Sequence, residues 1–218
     1  MRSVVFDFDG TLVDSNAIKQ RAYFEAAAAL GDVSAIVTAV LATCAGDRRQ
    51  LLAEIVRRAR AVGWAGATPV ETLVAHYTRY CEERISVCPE VAGATDTLRL
   101  LAARGLVLFA NSATPTEPLR VLIERRGWAA HFRGILGSPM SKIDNLQTAA
   151  TIARLAPAEL LMVGDGEDDL GAARAFGCAF AGIVLRERRF SGEADLVLSD
   201  LSALPAFVGG WKTESVLQ

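Results

Sequence analysis

The segment VVFDFDGTLVDS, Val4 to Ser15, ends an apolar run with two aspartates, a glycine and a threonine. Side chains alternate along a strand, so Asp7 and Asp9 are predicted to share one face. Two neighbouring carboxylates repel each other and are costly to remove from water, so a cation, a shared proton or exposure to water must compensate. The alternative without a function is an acidic turn after an edge strand.

Further polar groups follow other apolar runs. In VGDGEDD an apolar run ends at Asp165, and Asp168 and Asp169 follow; Ser112 closes LVLFANS, and Lys142 is a rare lysine in an arginine-rich chain. Carboxylates from several strand ends form the hard-oxygen type of site that Mg²⁺ favours. Taken singly, each has a plain explanation: acids at a helix N-terminus, a turn hydroxyl and a surface lysine. Their joint occurrence in one order favours a single site.

The elements that carry these groups alternate between strand and helix in the C-terminal part, from about Ala92 onward. Short apolar runs separated by amphipathic helices predict an α/β fold with a doubly wound parallel sheet. Ligands bind outside the carboxyl ends of the strands in such sheets. Because Asp7, Ser112 and Asp165 each lie at a strand end, they are predicted to meet in one crevice.

The chain between the first strand and this alternating part shows only helical stretches rich in Ala, Leu and Arg. We therefore predict a core formed by residues 1–14 and 89–218, with an all-helical insert at 15–88. Within the insert, TPVE predicts a helix start at which Thr68 and Glu71 form a capping box around Pro69.

Composition excludes several classes of partner. The 218 residues carry a formal net charge of −2, which gives no electrostatic case for nucleic acid or a membrane surface. The start of the chain is too short and polar for a signal peptide, and no apolar run approaches membrane length. Four cysteines lack a CxxC pair and predict free thiols in a reducing cytoplasm. The oligomeric state is left open.

DFDGT, the serine in ANSATP, Lys142 and GDGEDD together resemble the haloacid dehalogenase-like superfamily of hydrolases. The resemblance covers essentially the whole chain and places the insert where that family carries a helical cap. It implies a Rossmann-like core. The region from CPEVAGATDTLRLLAARG onward is similar to the phosphoglycolate phosphatase-like branch.

This resemblance implies roles for the acidic residues. Asp7 would attack phosphorus to form an aspartyl-phosphate, and Asp9 would act as general acid and then as general base. Mg²⁺ would be held by Asp7, the backbone carbonyl of Asp9, and Asp165. Asp169 would act from outside the ligand set, orienting the waters of the metal or Lys142.

The resemblance also implies how phosphate is bound. Ser112 and Lys142 would contact the phosphate oxygens, with backbone N–H groups after Asp7, that of Gly10 included, contributing. After Ser112, however, the chain reads SATP where the branch often has Asn-Lys-Pro, and Lys142 lies in SKIDNL without the Lys-Pro-x-Pro of that branch. These departures leave the substrate open.

Two arginine-containing stretches are candidates for contacts beyond the phosphate. In CAGDRRQ, Arg48 or Arg49 could bind a second anionic group of the substrate, such as a carboxylate. The alternative is a helix N-terminus with solvated arginines. RERRF, residues 186–190, follows a strand and is interpreted as an exposed loop.

Asp9 distinguishes between the chemistries of the superfamily, because a halide leaving group needs no proton whereas the oxygen of a phosphate ester does. The sequence therefore predicts a Mg²⁺-dependent phosphatase acting on a small phosphorylated metabolite. A phosphomutase of the same family remains an alternative, since it uses the same two aspartates. A non-catalytic member that binds a phosphorylated ligand is the other.

Overall fold

The computed structural model describes residues 1–64, 66–185 and 190–210, so RERRF lies outside the described residues except for Phe190. The chain divides into two compact units. One combines residues 1–14 with the chain from Cys88 onward, and the other is Ser15–Val87. Among the described residues, none of the helices is both long and apolar enough to cross a bilayer.

The first unit is built on a six-stranded parallel sheet with the order β3-β2-β1-β4-β5-β6. Its strands are β1 Ser3–Phe6, β2 Val107–Pro115, β3 Phe132–Ser138, β4 Leu160–Gly164, β5 Ala179–Ile183 and β6 Leu196–Leu198. The chain adds strands to one side of β1 and then to the other. Right-handed crossovers in opposite directions place helices on opposite faces, which confirms the predicted doubly wound α/β fold.

Helices occur in both units of the chain. In the second unit they are α1 Asn16–Ala27, α2 Ser34–Thr43, α3 Arg48–Ala61 and α4 Val70–Ile85. In the first unit they are α5 Ala94–Ala103, α6 Thr116–Arg125, α7 Lys142–Ala153, α8 Glu167–Phe176 and α9 Leu204–Gly210. The described part of the second unit contains no strand, as the sequence predicted for the insert.

A row of in-register side chains across the sheet determines which way the first aspartate points. The row consists of Phe109, Val5, Met162 and Phe180, which are fully buried. It packs against apolar side chains of α7 and α8. Since Asp7 follows Val5 by two residues, its side chain is directed to the same face, where the N-termini of α7 and α8 lie.

In the helical unit, CAGDRRQ is the start of a helix with a capping box. The carboxylate of Asp47 accepts from the N–H of Gln50 at 2.9 Å, and the side chain of Gln50 accepts from the N–H of Asp47 at 2.9 Å. Two backbone donors at the N-terminus of α3 are thereby satisfied. The apolar face of α3 then buries Leu52 and Ile55 fully.

The capping box predicted at Thr68 and Glu71 was wrong. Pro69 occupies the N-cap position in an extended conformation, and the helix begins at Val70 without a side-chain cap. Thr68 therefore lies one residue too early to reach the first turn. Glu71 instead accepts from Arg49 at 2.6 Å in an exposed ion pair.

Candidate active site

The carboxyl ends of the two central strands deliver the first acidic residues. Asp7 directly follows β1 and Asp165 directly follows β4, and these strands are hydrogen-bonded neighbours. The N–H of Asp7 donates to Val163 O at 2.8 Å, which extends the ladder by one residue. Asp169 lies in the first turn of α8, and a side chain on Gly164 would collide with its carboxylate. The glycine at the end of β4 therefore makes room for Asp169.

Three carboxylates form what we call the acidic group: Asp7, Asp165 and Asp169, with one oxygen of each within 4.8 Å of the others. Lys142, the first residue of α7, reaches into it with Nζ 3.0 Å from Asp7 Oδ1. The same ammonium donates to Asp169 Oδ1 and pairs with Asp168 Oδ2 at 3.0 Å. One lysine therefore faces several carboxylates.

The pKa values of Asp7 and Asp169 are raised because burial penalises their charged forms and Lys142 offsets this only in part. Burial raises the pKa of Asp7 well above its ordinary value, and Asp169 raises it further, although Lys142 opposes both effects. Burial likewise raises the pKa of Asp169 to about 6. For Lys142 burial favours the neutral amine, but Asp7 and Asp169 outweigh it and the pKa is raised. Negative charge is thus in excess at this point.

The donor set fits a divalent cation. Three carboxylates offer hard oxygen ligands at one place, and the single ammonium leaves negative charge uncompensated. The structure places the carboxylate of Asp169 in the same group as those of Asp7 and Asp165, whereas the sequence analysis gave Asp169 a role outside the ligand set. Its contact with Lys142 agrees with that role as well.

The side chain of Asp9 has different partners from that of Asp7. Thr114 Oγ1 donates to Asp9 Oδ2 at 3.0 Å, and Ser112 Oγ lies 3.5 Å from the same oxygen. The sequence predicted one shared face for both aspartates. Because β1 ends at Phe6 and the chain turns immediately afterwards, the alternation of a strand does not extend to Asp9.

The turn after Asp7 uses its own backbone groups. Gly10 has φ +81°, a left-handed conformation that favours glycine, and its N–H donates to Val13 O at 2.7 Å. This donor is engaged within the loop in the structure. Phosphate binding by Gly10 stays a prediction.

Two buried asparagines that the sequence analysis missed hold the start of α7. Asn111 Nδ2 donates to the carbonyl of Lys142 at 2.9 Å, and Asn145 Nδ2 donates to Asn111 Oδ1 at 3.0 Å. Asn145 also lies 3.4 Å from Gly137 O on β3. Polar residues inside an apolar strand, as in LVLFANS, were the available signal. These bonds fix the backbone from which the lysine side chain extends.

The two candidate arginines of the helical unit differ in their surroundings. Arg48 is half-buried, donates to Thr78 Oγ1 at 3.3 Å, and places its guanidinium 5.8 Å from the centre of the Tyr77 ring. Arg49 is exposed and paired with Glu71. Only the first of the two is therefore held in a fixed position by uncharged groups.

The chain matches the haloacid dehalogenase-like hydrolase family over residues 1–177. It is 32% identical over 196 residues to the phosphoglycolate phosphatase of Yersinia pseudotuberculosis serotype I, covering 84% of this chain and 81% of that protein. A predicted phosphoglycolate phosphatase from Haemophilus somnus 129PT superposes with a TM-score of 0.79 at 20% identity, over 95% and 97% of the two chains. A variant of CbbY from Rhodobacter sphaeroides in complex with xylulose-(1,5)bisphosphate gives 0.73 at 21% identity, over 94% and 96%. Both structures support the fold.

Proposed function

The chain belongs to the haloacid dehalogenase-like hydrolase family and is a phosphatase, and from that premise we propose a magnesium-dependent reaction through an aspartyl-phosphate intermediate. The substrate in this proposal is a small organic phosphate monoester. The phosphoglycolate phosphatase relative supports a small anionic metabolite as the substrate class.

One observation carries the proposal: two aspartates two residues apart have different partners. Asp7 is 4% exposed and lies with Lys142 among the acidic group. Asp9 is 7% exposed and lies against the hydroxyls of Ser112 and Thr114. Two carboxylates in unlike surroundings can take unlike roles, one as nucleophile and one as proton carrier.

In the first step Asp7 attacks phosphorus and the bond to the ester oxygen breaks. Protonated Asp9 gives its proton to that oxygen, so the alcohol leaves neutral and Asp9 becomes a carboxylate. Lys142 and Ser112 bind the phosphoryl oxygens while charge develops on them. The products of this step are the alcohol and phosphorylated Asp7.

In the second step water cleaves the intermediate. Asp9 takes a proton from the water as its oxygen attacks phosphorus, and the bond between phosphorus and the Asp7 oxygen breaks. Inorganic phosphate leaves, Asp7 is a carboxylate again, and Asp9 is protonated for the next cycle. Protons and electron pairs therefore balance without any further reactant.

Magnesium held by Asp7, Asp165 and the backbone carbonyl of Asp9 would neutralise charge on the phosphoryl group during transfer. Asp169 adds its carboxylate to this set and also holds the ammonium of Lys142. Both contacts support the proposal that Asp169 positions groups around the reacting atoms. The four free cysteines further support a reducing compartment such as the cytoplasm as the place of action.

The test is release of inorganic phosphate from p-nitrophenyl phosphate and from a panel of metabolite phosphates, in magnesium and in EDTA. We expect turnover in magnesium only, and a loss of at least about 10³-fold in Asp7→Asn, because the nucleophile is removed. Asp96→Asn, an exposed aspartate on α5, is the matched control and should retain activity.

Beryllium fluoride should inhibit competitively by binding to the Asp7 carboxylate as a phosphoryl mimic. Full activity in EDTA, or in the Asp7→Asn variant, would contradict the proposed mechanism. Conversion of a sugar phosphate into an isomer without release of phosphate would indicate the mutase alternative instead.

A further inference from the structure

The carboxylate of Asp9 is held by a residue to which no role has yet been given. Besides donating its hydroxyl to Asp9 Oδ2, Thr114 donates its backbone N–H to Ser112 Oγ at 3.1 Å. Ser112, Thr114 and Asp9 thus form a closed triangle of polar contacts. Its members are buried or half-buried, so water competes weakly for these hydrogen bonds.

The backbone at Thr114 is fixed by the neighbouring strand β3. The pairing of β2 with β3 is irregular between Asn111 and Pro115, and irregularities of this kind redirect side chains at strand ends. A side chain on Gly137 of β3 would collide with the backbone at Thr114 and Thr116. Because Gly137 has no side chain, β3 approaches the backbone at Thr114 and Thr116 closely. The N–H of Gly137 donates to Thr116 Oγ1 at 3.2 Å. The backbone at Thr114 is therefore held in place by its contacts with β3.

Resting on the function proposed above, we propose that Thr114 is a positioning residue for proton transfer by Asp9. The terminal torsion of an aspartate is broad, so an unrestrained carboxyl group samples many orientations. A hydroxyl bonded to Oδ2 restricts that rotation and holds the carboxyl group in one orientation for proton transfer to the ester oxygen. A general acid is effective only when it is held within hydrogen-bond reach of the atom that it protonates.

The test compares two esters whose leaving groups differ in their need for a proton. An alkyl phosphate must be protonated as it departs, whereas 2,4-dinitrophenolate leaves as a stable anion. In Thr114→Val, which removes the hydroxyl and keeps the shape, kcat/KM should fall about 10- to 100-fold for the alkyl ester and less than about 3-fold for the dinitrophenyl ester. The kcat for the dinitrophenyl ester should also fall, because water still has to be deprotonated in the second step.

Two variants serve as controls. Thr114→Ser restores a hydroxyl at the same place and should recover kcat/KM for the alkyl ester to within about 3-fold of the wild type. Thr148→Val removes the hydroxyl of an exposed helical threonine that donates to Asp144 O at 2.9 Å, and should leave both esters unaffected. If Thr114→Val does not fold, as judged by circular dichroism, Thr114→Ala removes the same hydroxyl with less bulk in its place.

Equal losses of kcat/KM on the two esters would overturn the inference, since they would indicate a role in binding phosphate or in structure. Full activity of Thr114→Val, or a Thr114→Ser variant as impaired as the valine variant, would overturn it too. A wild-type protein inactive on both esters and on the panel of metabolite phosphates would overturn the proposed function itself. These outcomes are distinguishable because the wild type is measured first.

Discussion

Among the described residues, Lys142 is the only lysine whose ammonium pairs with the acidic group, and replacing it by methionine removes that charge. The lysine lies 3.0 Å from Asp7 and also pairs with Asp169, and these two side chains are 5% and 0% exposed. Its pair with Asp168, which is 65% exposed, contributes little. Removing one partner of a buried ion pair typically costs about 3–5 kcal/mol, because the remaining charge is left uncompensated.

Proton uptake by a buried carboxyl group determines how the stability loss of Lys142→Met depends on pH. Burial raises the pKa of Asp7 and of Asp169, and Lys142 opposes the rise in both. Without Lys142, we expect one of these carboxyls to remain protonated in the folded chain, whereas in the unfolded chain it ionises with the ordinary pKa of 3.8. A raised folded pKa means that stability is lost as pH rises above 3.8. The loss is about 1.4 kcal/mol per pH unit. Wild-type Asp169, whose pKa is about 6, already has this loss up to about pH 6, so between pH 5 and pH 7 the variant loses about 1.4 kcal/mol more than the wild type does.

Urea unfolding in EDTA at both pH values measures this effect against the wild type. With a slope of about 2 kcal/mol per M urea, a cost of about 3–5 kcal/mol places the midpoint of Lys142→Met about 2 M lower at pH 7, and this deficit should be about 0.7 M smaller at pH 5. Arg99→Met is the matched control, because its exposed pair with Asp96 should contribute less than about 0.5 kcal/mol. The reasoning would be refuted if Lys142→Met had the same urea midpoint as the wild type at pH 7. It would also be refuted if the difference between the two midpoints were not smaller at pH 5.

Three other predictions follow from described contacts. Arg48→Ala should lower kcat/KM about 10-fold or more for esters that carry a second anionic group. Arg49→Ala breaks only an exposed ion pair and should leave kcat/KM unchanged. If Arg48→Ala lowered kcat/KM equally for all esters of a substrate panel, a role in binding the second anionic group would be refuted. Asn145→Leu should lower the free energy of unfolding by about 1–3 kcal/mol, because Asn111 Oδ1 loses a buried donor, and the exposed Gln147→Leu should be neutral in the same denaturation assay. Burial raises the pKa of the Cys178 thiol to about 11. Iodoacetamide at pH 8 should therefore modify the half-exposed Cys44 of the folded protein and not Cys178. Peptide mass spectrometry after proteolysis checks this.

The placement of Asp7 and Asp165 illustrates what a sequence can predict. Both follow short apolar runs in a strand–helix alternation, and parallel strands bring their carboxyl ends to one edge of the sheet. The rule requires only the order of elements, so exact boundaries were not needed. Lys142 could be added through the family resemblance, and its position at the start of α7 explains why it reaches the same edge.

The partners of Asp9 could not be predicted in this way. Beyond Phe6 the side-chain directions depend on a turn with a left-handed Gly10 and on the irregular end of β2, and neither follows a period. The pairing of Asn111 with Asn145 likewise joins positions 34 apart, with no local pattern to indicate it. At Thr68 the local signal was present but misleading, because Pro69 took the N-cap position instead.

The position of β1 in the sheet has a consequence for biosynthesis. Ser3–Phe6 is fully buried between β2 and β4, yet these neighbours begin at Val107 and Leu160. At a translation rate of about 5–20 residues per second, the apolar strand waits about 5–20 seconds for its first neighbour. The intervening helices contact one another within residues 16–85 and can form meanwhile, whereas both edges of β1 stay open to chaperones or to other nascent chains.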